Sequence, residues 1–112
     1  MWQRRTSKNK FGNKKTIIDN ITFDSKLEAR RFAELKLLKA AKKIDCLLAH
    51  PTYQITIGGT KICKVELDFG YRDLESNKFI LEDTKGFYTP ISRLKHKLFR
   101  ACYPDLELRI MT

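Results

Sequence analysis

Gly58-Gly59 stands between two β-prone stretches, and a glycine pair in that setting is a two-residue hairpin signal. The stretch after it, about 60–72, alternates cleanly. Cys63, Val65, Leu67, Phe69 and Tyr71 share one face, and Lys64, Glu66, Asp68 and Gly70 share the other. The stretch before it, 47–57, is interrupted by Pro51, which predicts an edge strand or a bulge near its start. A polar turn at 73–77 leads into a third strand at 78–85. A three-stranded antiparallel meander is therefore the part of the chain that its pattern constrains most.

Helices bracket this meander. A stretch rich in Leu, Ala, Glu, Lys and Arg predicts a helix from about 26 to 43, capped by Asp24 or Ser25. Gly86 breaks the third strand, and Thr89-Pro90 starts a second helix with proline at its first position. That helix runs to about Cys102 and stops before Pro104; a last strand covers 106–111. Residues 17–23 form a small strand or an ordered entry, and residues 1–16 are a flexible basic arm. With 112 residues the chain holds one domain, 17–112, behind that arm. The order helix, three strands, helix, strand makes it α/β, a mixed sheet flanked by helices.

The charge balance narrows the partner. Lys and Arg number 23 against 13 Asp and Glu, a net charge of +10, and Arg4, Arg5, Lys8, Lys10, Lys14 and Lys15 all precede the first acid, Asp19. Such a balance points to a polyanion, with nucleic acid the usual one; the plainer alternative is a solvated basic surface. Three cysteines without zinc or disulfide spacing suggest a reducing compartment. No apolar run reaches the ~20 residues that span a bilayer, and no apolar stretch follows the charged N-terminus as in a secretory signal. The expectation is a cytoplasmic protein with no membrane partner.

Asp83 and Lys85 lie two apart on the third strand, so they point the same way, whereas Glu82 points to the opposite face. Asp68 interrupts the hydrophobic run of the preceding strand, where the partner strand carries Asp83. Two carboxylates on adjacent strands can chelate one divalent cation, with a backbone carbonyl and waters completing hard-oxygen coordination. A lysine beside them can hold an attacking water. The ordinary alternative is a cross-strand salt bridge, which is expensive near the middle of a sheet.

Three other positions stay open between two roles. Ser25-Lys26-Leu27-Glu28 fits a capping box, but Glu28, Phe32 and Leu35 also share one helical face, which would turn the Glu28 carboxylate toward the sheet and a metal. On the second helix Ile91, Leu94, Leu98, Phe99, Ala101 and Cys102 form an apolar arc containing Lys95, which either snorkels to solvent or reaches a phosphate. Arg93, His96, Lys97 and Arg100 take the opposite face, either as a solvated surface or as a stripe along a DNA backbone. His50 and His96 have no partner at metal spacing and read as structural or surface residues. No glycine-rich phosphate loop precedes a helix, which argues against a nucleotide hydrolase.

Asp68, followed across a hairpin by Asp83-Thr84-Lys85, resembles the bipartite motif of PD-(D/E)XK nucleases, with Glu28 matching the acidic residue of their first helix. The element order is similar to the restriction-endonuclease-like αβββαβ core of that superfamily, over about 24–111. Phe23-Asp24-Ser25-Lys26-x-Glu28, Leu67-Asp68-Phe69 and Glu82-Asp83-x-Lys85-Gly86 resemble small phage-encoded endonucleases similar to Holliday-junction resolvases. Leu67 stands where the motif name has proline.

The resemblance implies a DNA endonuclease dependent on Mg2+ or Mn2+, structure-selective on branched or replicating DNA. Asp68, Asp83 and the Thr84 carbonyl would hold the metal, Lys85 would orient water, and Glu28 would support a metal or its water. Lys95, Lys97, Arg93 and the basic arm would grip DNA, in the bacterial cytoplasm for a phage-encoded protein, with a homodimer plausible for a two-fold substrate. The competing readings are a non-catalytic nucleic-acid-binding module on this fold and a small basic structural protein.

Overall fold

The computed structural model describes residues 15–85 and 88–111. Arg4, Arg5, Lys8, Lys10 and Lys14 of the expected basic arm lie outside the described residues. The chain forms two compact units, Met1–Glu34 and Leu35–Thr112.

In the first unit, β1 (Thr16–Ile18) and β2 (Ile21–Phe23) make an antiparallel hairpin. Asp19 and Asn20 close it with φ of 54° and 66°, the left-handed pair that a tight hairpin turn requires and that Asp and Asn tolerate. Thr16, in the segment expected to be arm, thus belongs to a strand. Helix α1 (Lys26–Ala40) follows, and of the two expected caps Ser25 is the one used: its Oγ accepts the Glu28 N–H at 3.2 Å. Phe23 and Phe32, both buried, meet with ring centroids 5.0 Å apart.

The helix ends at Ala40 rather than near 43. The Lys42 N–H donates to Lys39 C=O and the Lys43 N–H to Leu38 C=O, with Lys42 at φ 59°. This is a Schellman closure with lysine where glycine is usual. Composition favours continuing the helix, but these two bonds satisfy its last carbonyls.

The second unit is organised by one long hairpin with its tip at Gly58-Gly59, whose φ values are 56° and 81°. The two strands expected at 47–57 and 60–72 are each split in two. β3 (Ile44–Ala49) and β4 (Thr52–Ile57) form one arm, and β5 (Thr60–Glu66) and β6 (Phe69–Asp73) the other. Ala49↔Phe69 and Thr52↔Glu66 are steps of one register, so His50 falls opposite Asp68 and Pro51 opposite Leu67. The arms stay joined there, His50 N–H donating to Asp68 C=O and Leu67 N–H to Pro51 C=O, both at 2.9 Å. The break has a cause in Pro51, which has no N–H for the ladder, beside His50 at φ 57°.

Beyond the break the β4–β5 end leaves the sheet, while β3 and β6 continue in a four-stranded sheet of order β3-β6-β7-β8. β7 (Lys78–Thr84) runs antiparallel to β6, and β8 (Glu107–Met111) runs parallel to β7. Asp45 and Arg72 bridge β3 and β6 with two hydrogen bonds at 2.9 and 2.5 Å, and the guanidinium holds the Asp45 carboxyl below its usual range.

Helix α2 (Pro90–Cys102) carries the chain between β7 and β8, with Thr89 Oγ1 accepting the Ser92 N–H at 3.0 Å as the cap. It packs against β4 and β5. Ile55, Val65, Leu67, Leu81, Phe99 and Leu108 form the buried cluster beneath it, and Tyr103 closes the end by donating its hydroxyl to Gln54 C=O at 2.7 Å. The fold is mixed α/β, a mixed sheet with two helices, as expected. Among the described residues no helix is long and apolar enough to cross a membrane.

Two substitutions check this packing by thermal and urea unfolding. Lys42→Gly relieves the left-handed lysine and raises stability by up to about 1 kcal/mol, less than the full relief because glycine also loosens the unfolded chain. Gly70→Ala places a Cβ 2.9 Å from the buried Leu81 Cδ2 and 3.1 Å from the Phe79 ring, and lowers stability by about 1–3 kcal/mol.

Candidate functional site

Among the described residues, the buried polar or charged side chains are Glu82, Asp83 and His96. Two of these three meet each other, and the place where they meet is set by the fork between β6 and the departing β5. Phe69↔Glu82 is the last pair of the two strands, and Asp68 lies one residue beyond it. There the backbone of Asp68 turns. Its C=O faces His50 on one side while its N–H donates to Glu82 C=O of β7 on the other, at 3.0 Å. In a regular strand both groups of one residue face the same neighbour. The Thr84 N–H, past the end of the paired region, takes the Asp68 side chain as its acceptor, with Oδ2 at 2.6 Å. Asp68 thus replaces a backbone carbonyl where the strand bends away.

The alternation along β7 holds. Asp83 and Lys85 share a face, with Lys85 Nζ 3.1 Å from Asp83 Oδ2. Glu82 occupies the opposite face, fully buried, where its Oε2 accepts the Tyr71 hydroxyl. Asp83 is only 2% exposed, yet its Oδ2 has a second partner, His96 Nε2, at 2.8 Å. On the other side of the ring, Nδ1 meets the Tyr88 hydroxyl at 2.6 Å. The Arg93 guanidinium lies 4.5 Å over the Tyr88 ring. A continuous chain of contacts therefore runs from Arg93 through Tyr88 and His96 to Asp83 and Lys85.

This corrects the expected orientation of α2 in part, since Leu98, Phe99 and Cys102 of the arc do pack against the core. His96 was placed on the exposed basic face, and it is 2% exposed. Ile91 and Leu94, placed in the apolar arc, are 65% and 54% exposed, and Ala101 is exposed as well. The inward face runs from Leu98 and Cys102 through Phe99 to Ser92 and His96, so the helix is turned from the expected arc toward His96 and away from Ile91, Leu94 and Ala101. Leu98, Phe99 and Cys102 meet the core in either orientation. The Asp83 carboxylate decides between them, because a buried anion must be given a donor, and a histidine there outweighs two aliphatic side chains. The sequence signal was the spacing of Ser92, His96 and Phe99 on one stripe.

Lys95 is half-buried, Arg93 and Lys97 are exposed, and Arg100 donates from Nη2 to Leu108 C=O at 3.2 Å. Lys15 is the described member of the N-terminal basic group, and it is exposed. Glu28 belongs to the first unit, half-buried on the helix face that also buries Phe32, with its own N–H used in the Ser25 cap.

Carboxylates and a backbone carbonyl are hard oxygen donors, the kind that Mg2+ and Mn2+ take. Asp68, Asp83 and Thr84 bring that chemistry to one strand end. Among the described residues no group of three or more His, Cys, Asp or Glu side chains is gathered for a metal. A cation held here would therefore complete its shell with the Thr84 carbonyl and with water.

No curated protein and no solved structure matches the chain. Residues 8–112 match the family described as "Protein of unknown function (DUF1064)", and the chain belongs to that family.

Proposed function

We propose that this protein is a divalent-metal-dependent endodeoxyribonuclease, structure-selective on branched DNA in the manner of the phage-type junction-resolving enzymes its motifs resemble. The observation that carries this reading is that the Asp83–Lys85 pair and Asp68, bonded to the Thr84 N–H between them, share the strand end where the hairpin leaves the sheet. A purely structural sheet has no need of it. Burying Asp83 costs desolvation, and the two donors on its Oδ2 are themselves costly to place there. Apolar residues would stabilise this strand end with less difficulty.

In this reading Asp68, Asp83 and the Thr84 carbonyl hold Mg2+ or Mn2+. The bound ion supplies charge stabilisation on the phosphate oxygens during hydrolysis. Lys85 Nζ orients the attacking water from its place beside Asp83. Lys95, Lys97 and Arg93 lie on α2, whose first turn follows closely after Lys85, and they contact the DNA backbone. Arg4, Arg5, Lys8, Lys10, Lys14 and Lys15 add grip that is independent of sequence and weakens steeply with salt. A two-fold junction would favour a homodimer.

The test is cleavage of labelled four-way junction, flap, duplex and single-stranded DNA in Mg2+, Mn2+ or EDTA. Cleavage is expected with metal and not with EDTA, with a preference for a branched substrate. Asp83→Asn and Lys85→Ala, checked for folding, are expected to lower the rate by about 100-fold or more. Tight binding with no cleavage in any metal would instead establish the non-catalytic binding module.

A further inference from the structure

Resting on the metal-site reading above, we infer that His96, held by Tyr88, is the positioning residue of that site: it fixes the Asp83 carboxylate in the orientation from which it binds a divalent cation.

The direction of the His96–Asp83 hydrogen bond follows from what the groups can do. A carboxylate only accepts, so His96 Nε2 carries a hydrogen and donates it to Asp83 Oδ2. Nδ1 meets the Tyr88 hydroxyl, which donates to a neutral ring and accepts from a charged one. The imidazole is thereby held at both ends, in one ring orientation. Its burial removes water as a competing partner. Tyr88 is held in turn by Arg93 over its ring, one turn into the helix that Thr89 caps.

Lys85 does not perform the same service. It meets the same oxygen from a flexible four-carbon stem and remains partly exposed. His96 is the rigid donor. Groups that orient a metal-binding side chain from behind change metal affinity by about 10–100-fold when removed. His96 and Tyr88 occupy that place relative to Asp83, and they link the strand carrying the carboxylate to the helix carrying the basic residues.

Mn2+ binding by the metal-free protein, followed through the electron paramagnetic resonance of free Mn2+, tests this without DNA or turnover. Wild type, Asp83→Asn, His96→Leu, His96→Gln and Tyr88→Phe are compared, each with its melting temperature in EDTA. His96→Leu is expected to weaken Mn2+ binding by about 10–100-fold. His96→Gln keeps an N–H near the position of Nε2 and is expected to recover most of that loss. Tyr88→Phe is expected to weaken binding severalfold while leaving the melting temperature close to wild type.

A folded His96→Leu or Tyr88→Phe protein that binds Mn2+ as wild type does would overturn the positioning role and leave the metal site intact. So would a His96→Gln protein no better than His96→Leu. If His96→Leu does not fold, Tyr88→Phe decides alone. Wild type that binds no Mn2+ at millimolar concentration, with Asp83→Asn indistinguishable from it, would remove the metal site itself and this inference with it.

Discussion

The hydrogen bond from the Thr84 N–H to the Asp68 carboxylate is the point on which the second unit turns. A strand that leaves its sheet abandons a donor on the strand it was paired with, and a buried donor must find another acceptor. Here the acceptor is a side chain from the departing strand itself, at 2.6 Å. The β4–β5 end of the hairpin can then swing away from β7 without leaving that amide unpaired. The departing end gives α2 a surface to pack against, and α2 in turn brings His96 to Asp83. The same bond that permits the bend places a carboxylate at the fork, so architecture and candidate chemistry share one residue.

Charge at the end of β7 is held by geometry on two sides. Glu82 and Asp83 are adjacent, both buried, and face opposite ways. Each has found a donor of a different kind: Tyr71 from the neighbouring strand for Glu82, and His96 with Lys85 for Asp83. Separate faces keep the two carboxylates from sharing a partner. The result is one acid embedded in the fabric of the sheet and another held by His96 and Lys85, next in sequence to the Thr84 amide that Asp68 accepts.

Much of this was legible in local pattern. Gly58-Gly59, the alternation of 60–72, the Ser25 cap and the Thr89-Pro90 start are signals spanning a few residues, and each acts through short-range sterics or hydrogen bonds. The separation of Asp83 from Glu82 was legible for the same reason, since alternation follows from the pleat alone. The split at His50-Pro51 was only half legible. Proline announced an interruption, but nothing local says that Leu67-Asp68, on the other arm, must break opposite it. That is a property of register, which the hairpin tip sets at a distance. The early end of α1 was hidden because its stop is a lysine at φ 59° rather than a glycine.

The sequence by itself determined the elements, their order, and the shared face of Asp83 and Lys85, because strand and helix periods and turn chemistry are encoded within a few residues. Tertiary structure alone decided which side of α2 faces inward and that the backbone of Asp68 divides its bonds between two neighbours. Those outcomes depend on the environment of a buried carboxylate fixed by residues far along the chain. The apolar arc of α2 is wide enough to be buried along either edge, and the need of Asp83 for a donor selected the edge that brings in His96.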